Sequence, residues 1–160
     1  MASFCYARPI KTVYLAGGMK TGWQDVVKTL LPGNIYLDPR DHHFTDELDY
    51  TAWDLTALRK ADIVFGYMEK TNPHGAGLAL EFGVAHALGI ELHYVEDADF
   101  PHTKAFGMVR AVADLESPDF KSAIIALAEH CGLELPSDET IEQALMSYQV
   151  RVDVLSRSKL

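Results

Sequence analysis

The 160-residue chain has only two cysteines, Cys5 and Cys131, far apart in sequence. That excludes a disulfide framework and a cysteine-built metal knuckle, and makes a reducing compartment the plain reading. Apolar runs are also short, about six residues at most, where a bilayer-spanning helix needs roughly 18. The first residues show no signal-like apolar core. A cytoplasmic protein with no membrane partner is expected; the terminal Ser158-Lys159-Leu160 would be a peroxisomal address only in a eukaryotic chain. Positive charge is in short supply: 14 Lys and Arg against 23 Asp and Glu leave a net charge of -9. A nucleic-acid backbone or an anionic membrane is therefore an unsuitable main partner, and a small neutral or modestly charged ligand fits better. Gly17-Gly18 lacks the full glycine spacing of a dinucleotide fingerprint and reads as a tight strand-to-helix turn. Internal repeats and low-complexity segments are absent.

What is present is a globular composition, 48% hydrophobic and 23% charged, in which strand-like and helix-like segments alternate. Lys11 to Ala16 reads as a first strand, and Trp23 to Leu31 as a helix with Val26, Val27, Leu30 and Leu31 on one side, ended by Pro32-Gly33. Asn34 to Leu37 is a second strand, followed by Asp38-Pro39-Arg40 and a polar loop with Asp41, His42 and His43. Tyr50 to Lys60 is a helix with Trp53, Ala57 and Leu58 inward; Ile63 to Met68 and Ile90 to Val95 are strands three and four. The spacing of Phe106, Val109, Val112 and Leu115 predicts a helix running into a very short fifth strand near Ala113. Pro118 opens another helix with Phe120, Ile124, Leu127 and Ala128 inward, and Ser137 caps a last helical piece. Beyond it, Tyr148, Val150, Val152 and Val154 alternate like an apolar tail.

The pattern predicts a single α/β domain over 1–160, with its core at about 11–131 and a C-terminal helical or tail segment at 132–160. Its sheet would be mostly parallel and five-stranded with helices on both faces, Rossmann or flavodoxin-like. In such sheets ligands bind outside the carboxyl ends of the strands, where chain order reverses. Gly17-Gly18-Met19, Asp38-Pro39-Arg40 and the stretch Asn72 to Gly77 should converge there.

The stretch Asn72 to Gly89 then places one carboxylate, Glu81, on the inward face of an apolar helix. Leu78, Leu80, Phe82, Val84, Ala85 and Leu88 leave that helix almost no solvated stripe. Burying an unpaired ionised carboxylate costs several kcal/mol or forces protonation. Glu81 is therefore either paired with a lysine or a helix N-terminus, or kept for chemistry.

Three pieces in order, Tyr14-Leu15-Ala16-Gly17-Gly18, Asp54 eight residues before Asp62, and Gly77-Leu78-Ala79-Leu80-Glu81-Phe82-Gly83, resemble the nucleoside 2-deoxyribosyltransferase family. The resemblance spans Lys11 to Glu96 and is looser beyond. It implies retaining base exchange on a 2-deoxyribonucleoside without a cofactor. The partners it implies are a nucleoside and a free nucleobase, in a homo-oligomer, dimer or hexamer, whose sites borrow residues from a neighbouring subunit. By the same resemblance Glu81 is the nucleophile, Tyr14 orients it and Asp54 serves the leaving base. The family often has an aspartate six residues before the nucleophile; here that position is Gly75, so sugar contacts would come from elsewhere, Asn72 or Asp38.

The chemistry of these residue types agrees. A carboxylate beneath an N-glycosidic bond stabilises the oxocarbenium-like centre and can collapse onto carbon as a glycosyl ester. A second carboxyl with a raised pKa can protonate the departing base. Gly17, Gly18, Asp38, Arg40, Asn72, His74 and Gly77 are the substrate-binding candidates, with Trp23 or Trp53 for base stacking. Plainer alternatives stay open: Tyr14 as a strand aromatic, Asp54 paired with Arg59, Arg40 paired with Asp38. His42, His43 and His74 beside Asp38 and Asp41 invite a metal reading, but adjacent loop histidines are ordinarily solvated, and no metal site is expected. Two rival functions share the fold. In a nucleoside 5'-monophosphate N-glycosidase, Lys20, Arg40 and His74 could hold the phosphate, although the serine expected before the nucleophile helix is again Gly75. A non-catalytic nucleotide sensor would not need Glu81.

Overall fold

The computed structural model describes residues 8–71 and 74–157. Asn72 and the Ser158-Lys159-Leu160 triplet lie outside them. Five parallel strands, β1 (Thr12–Gly17), β2 (Ile35–Leu37), β3 (Ile63–Met68), β4 (Glu91–Glu96) and β5 (Leu115–Ser117), form one sheet in the order β2-β1-β3-β4-β5. All six residues of β3 are buried, as expected of a strand covered on both faces. Six α-helices accompany the sheet: α1 (Trp23–Leu30), α2 (Glu47–Leu58), α3 (Ala76–Leu88), α4 (Gly107–Val112), α5 (Phe120–His130) and α6 (Asp138–Arg157).

Strand alternation sorts the core into two layers. Val13, Leu15, Ile63, Phe65, Tyr67 and Val95 face α1, α5 and α6; Tyr14, Ala16, Val64, Met68, Leu92 and Tyr94 face α2, α3 and α4. After β2 the chain crosses β1 to place β3 on its other side. The reversal of order therefore falls at the carboxyl ends of β1 and β3, where a crevice opens. Gly66 lets α3 come close to the sheet, because a Cβ there would run into the Phe82 ring and Leu78. The neighbouring Glu81 is thereby held against β1.

Four sequence expectations are corrected. The fifth strand begins at Leu115, not near Ala113, because Asp114 pairs with Leu92 through both its backbone N–H and its carboxylate; α4 is correspondingly short. Residues 148–154 are not an alternating tail but part of the 20-residue α6. Helical period turns Tyr148 and Val152 into the core and leaves Val150 and Val154 outside. Helix α3 does have a solvated side, with Leu80 and Leu88 more than half exposed. Trp23 is fully buried among Phe65, Tyr67 and Phe120, its indole N–H donating to the Gly18 carbonyl, and is not available to stack on a ligand. No helix among the described residues is long and apolar enough to cross a membrane.

Candidate active site

A cleft of about 600 Å³ lies at the crevice, with Glu81 and Asp54 among its lining residues. Glu81 is 9% exposed, in the second turn of α3, and Oε1 accepts a 2.7 Å hydrogen bond from the Tyr14 hydroxyl on β1. Burial pushes the Glu81 carboxyl up to about 7; the Tyr14 hydrogen bond opposes this and the charge of Asp54 adds to it. Tyr14 is fully buried, and burial together with the negative charge of Glu81 raises it far above the usual phenol range. It is a fixed hydrogen-bond donor, not an acid.

Asp54 enters from α2, whose N-terminus is capped by the Asp46 carboxylate. Burial raises its pKa more than the nearby His42 and Tyr14 lower it. Its Oδ1 is buried without a hydrogen-bond partner, and His42 Nε2 lies 3.5 Å away without hydrogen-bond geometry. Burial makes this carboxyl hold its proton more tightly than an exposed aspartate does, and Oδ1 has no hydrogen bond within the protein, which suits a proton donor.

Gly17, Gly18, His74 and Gly77 also line the cleft. Gly17 has φ +144, and a Cβ there would meet the Tyr67 carbonyl, so the turn after β1 needs glycine to pass close to β3. At Gly75 a Cβ would collide with the Phe106 ring and the Met68 thioether. The position where the resemblance leads one to expect an aspartate or serine thus faces the ends of two apolar side chains.

Asp38 and Arg40 lie apart from the cleft lining, to which only Pro39 of these three residues contributes. Asp38 is fully buried and accepts from Lys28 at 2.7 Å and from Arg40 at 2.6 Å, while the same guanidinium grips Asp25. Burial raises the Asp38 carboxyl, but Arg40 and Lys28 outweigh it and hold it below the usual range. This is a satisfied ion cluster joining α1 to the β2 loop. Trp53 sits beside the cleft against His42, with ring centroids 5.0 Å apart.

Sequence reasoning passed over two features. One is an aromatic wall: His42 stacks with Phe44 at 5.6 Å and with Tyr50 at 6.4 Å, all three lining the cleft beside Asp54. Tyr50 and Asp54 are four apart on α2 and so share a face, a spacing visible in the sequence. The other is Glu69, 1% exposed just past β3, where Oε1 accepts hydrogen bonds from the Thr21 and Tyr148 hydroxyls. This ties the loop after β1 to α6.

The architecture is shared with known structures. The chain superposes on a 2-deoxyribosyltransferase from Leishmania mexicana with TM-score 0.59 and 21% identity, covering 75% of this chain and 98% of that one. A 2-deoxyribosyltransferase from the psychrotolerant bacterium Bacillus psychrosaccharolyticus gives 0.55 and 17%, covering 81% and 95%. The CMP N-glycosidase BcmB from Clostridium botulinum gives 0.52 and 18%, covering 74% and 99%. At these identities the likeness establishes the fold. No protein-family model and no curated protein matches the sequence.

Proposed function

We propose that the protein breaks and remakes the N-glycosidic bond of a 2'-deoxyribonucleoside, exchanging its base through a covalent ester on Glu81. The observation that carries this reading is the Glu81 carboxylate, buried at the cleft and aimed by the Tyr14 hydroxyl at 2.7 Å. Ionised Glu81 attacks the anomeric carbon as the bond to the base breaks. The departing ring nitrogen takes the proton of Asp54, and the base lies against His42, Phe44 and Tyr50. An incoming base then returns a proton to Asp54 and displaces Glu81 from the same face, so configuration is retained. The fold shared with two deoxyribosyltransferases supports the reading. It also expects a homo-oligomer, with the apolar outer side of α3 at Leu80 and Leu88 covered by a second copy.

A specific observation favours hydrolysis of a nucleoside 5'-monophosphate as the second reading. Lys20 and His74 line the cleft beside the start of α3, where no side chain caps the helix, an electropositive corner suited to phosphate. Gly75, where that activity would have a serine, counts against it. Incubation with deoxyinosine plus adenine, and separately with deoxynucleoside monophosphates, distinguishes the two by chromatography: new deoxyadenosine is expected in the first and no free base in the second. Glu81→Ala should abolish exchange, a loss of several orders of magnitude. If the variant keeps more than a few per cent of the rate, Glu81 is not the nucleophile.

A further inference from the structure

A second cluster of ligating side chains occupies the other face of the sheet, at the edge away from Glu81. Glu91 and His93 are two residues apart on β4, so their side chains leave the same face, the one covered by α1, α5 and α6. His130 reaches the same place from the last turn of α5. Glu91 Oε1 lies 2.9 Å from His93 Nε2 and Oε2 lies 2.8 Å from His130 Nε2. One ligating atom from each residue falls within 4.8 Å of the other two.

Hydrogen bonding leaves one nitrogen of the cluster without a partner. His93 is 3% exposed, and its Nδ1 is buried without a partner. A neutral imidazole carries a single N–H. With the proton on Nε2, the Nδ1 lone pair is stranded. With the proton on Nδ1, the Nε2 lone pair faces a carboxylate oxygen at 2.9 Å and the two acceptors repel. A cation between the two acceptors turns that repulsion into ligation. The carbonyl end of α5 and the charge of Asp114, which acts on the His93 ring, both favour positive charge here.

We infer that Glu91, His93 and His130 bind one divalent transition-metal ion of the zinc type, with two imidazoles and one carboxylate as protein ligands and water completing the shell. Imidazole and carboxylate are the donors zinc accepts, at bond lengths of about 2.0 Å that put tetrahedral ligand atoms about 3.3 Å apart. Oε1 and Oε2 of Glu91 lie 2.9 and 2.8 Å from the two imidazole nitrogens, a few tenths of an ångström inside that spacing, and one ligating atom from each residue within 4.8 Å of the others leaves small side-chain rotations to close the shell. Glu91 and His130, 32% and 38% exposed, give the ion its route from solvent. The bound ion pins the end of α5 to β4 and takes no part in chemistry at Glu81.

The test is calorimetric titration of the chelator-treated, full-length protein with Zn²⁺, paired with the visible spectrum on adding Co²⁺. Saturable binding of one ion per chain, a Co²⁺ d–d spectrum and a rise in unfolding temperature with Zn²⁺ are expected. Glu91→Gln and His130→Ala, both at partly exposed positions, should each weaken binding at least about tenfold and abolish the thermal shift. His86→Ala, on exposed α3 surface, should change neither. Absence of saturable binding, or binding that both Glu91→Gln and His130→Ala leave intact, would overturn the assignment. None of these three readouts involves a nucleoside, so the outcome is independent of the proposed reaction.

Discussion

Replacing Glu81 with Gln should shift stability in the variant's favour as pH rises. The folded carboxyl titrates at about 7 against an ordinary value of 4.5. The folded state therefore binds a proton more tightly than the unfolded state, and Glu81 contributes least penalty below about pH 4.5, where it is neutral in both. As pH rises from 4.5 through 7, unfolding increasingly releases a proton and stability falls. The difference of about 2.5 units, at about 1.4 kcal/mol each, is a loss of about 3 kcal/mol once Glu81 is fully ionised. Glutamine keeps an oxygen for the Tyr14 hydroxyl and cannot ionise, so the variant escapes that loss. Any cost of its amide N–H₂ is independent of pH and cancels when two pH values are compared. Urea unfolding of both proteins, followed by circular dichroism, should give a stability difference that shifts in favour of Glu81→Gln by about 3 kcal/mol between about pH 4 and about pH 8. A shift below about 1 kcal/mol, or one in the opposite direction, would mean that Glu81 is solvated or paired with a positive charge, and the electrostatic account of the cleft fails.

Three further outcomes follow from the same geometry. Tyr14→Phe removes the hydrogen bond that lowers the Glu81 pKa, so the acidic limb of the kcat/KM profile, expected near 7, should move to higher pH; an unmoved limb would separate Tyr14 from the titrating group. Asp54→Asn should slow natural nucleosides by about 10²–10⁴ while sparing a substrate whose leaving group departs without a proton; equal losses on both would assign Asp54 to sugar positioning. Tyr148→Phe takes one of two donors from buried Glu69 and should cost about 1–3 kcal/mol in urea unfolding, a value near zero showing that the carboxyl is satisfied without it.

The alternation of β3 and its neighbours was legible because parallel strands buried on both faces leave unbroken apolar runs, and β3 falls at Ile63–Met68 as the sequence suggests. The strand carrying Tyr14 was legible for the same reason and the helices carrying Asp54 and Glu81 from their apolar spacing; in the fold Asp54 and Glu81 line one cleft and Tyr14 lies behind Glu81. The segment around His42 and Phe44 was not, because a loop has no period and its stacking on Tyr50 depends on where α2 starts. Asp38-Pro39-Arg40 reads equally as a ligand clamp or a local ion pair; Lys28 and Asp25, arriving from α1, settle the competition in favour of the pair. At the C-terminal end, the residues Tyr148, Val150, Val152 and Val154 fit a period of two over a few positions, whereas the helical period emerges only over the whole of α6.

The hydrogen bonds meeting at Glu69 have a consequence for the order in which the protein is made. Thr21 belongs to the loop that borders the cleft, Glu69 follows β3, and Tyr148 lies 79 residues beyond Glu69. A chain growing from its N-terminus can form the sheet as far as β5 and bring Glu81 to Tyr14 while α6 has yet to emerge. Until Tyr148 arrives, Glu69 has only Thr21 to satisfy it, and the core layer beneath α1 and α5 lacks its cover of Tyr148 and Val152. Folding from the N-terminal side would thus seat Glu81 against Tyr14 and Thr21 against Glu69 before α6 adds the second hydroxyl to Glu69.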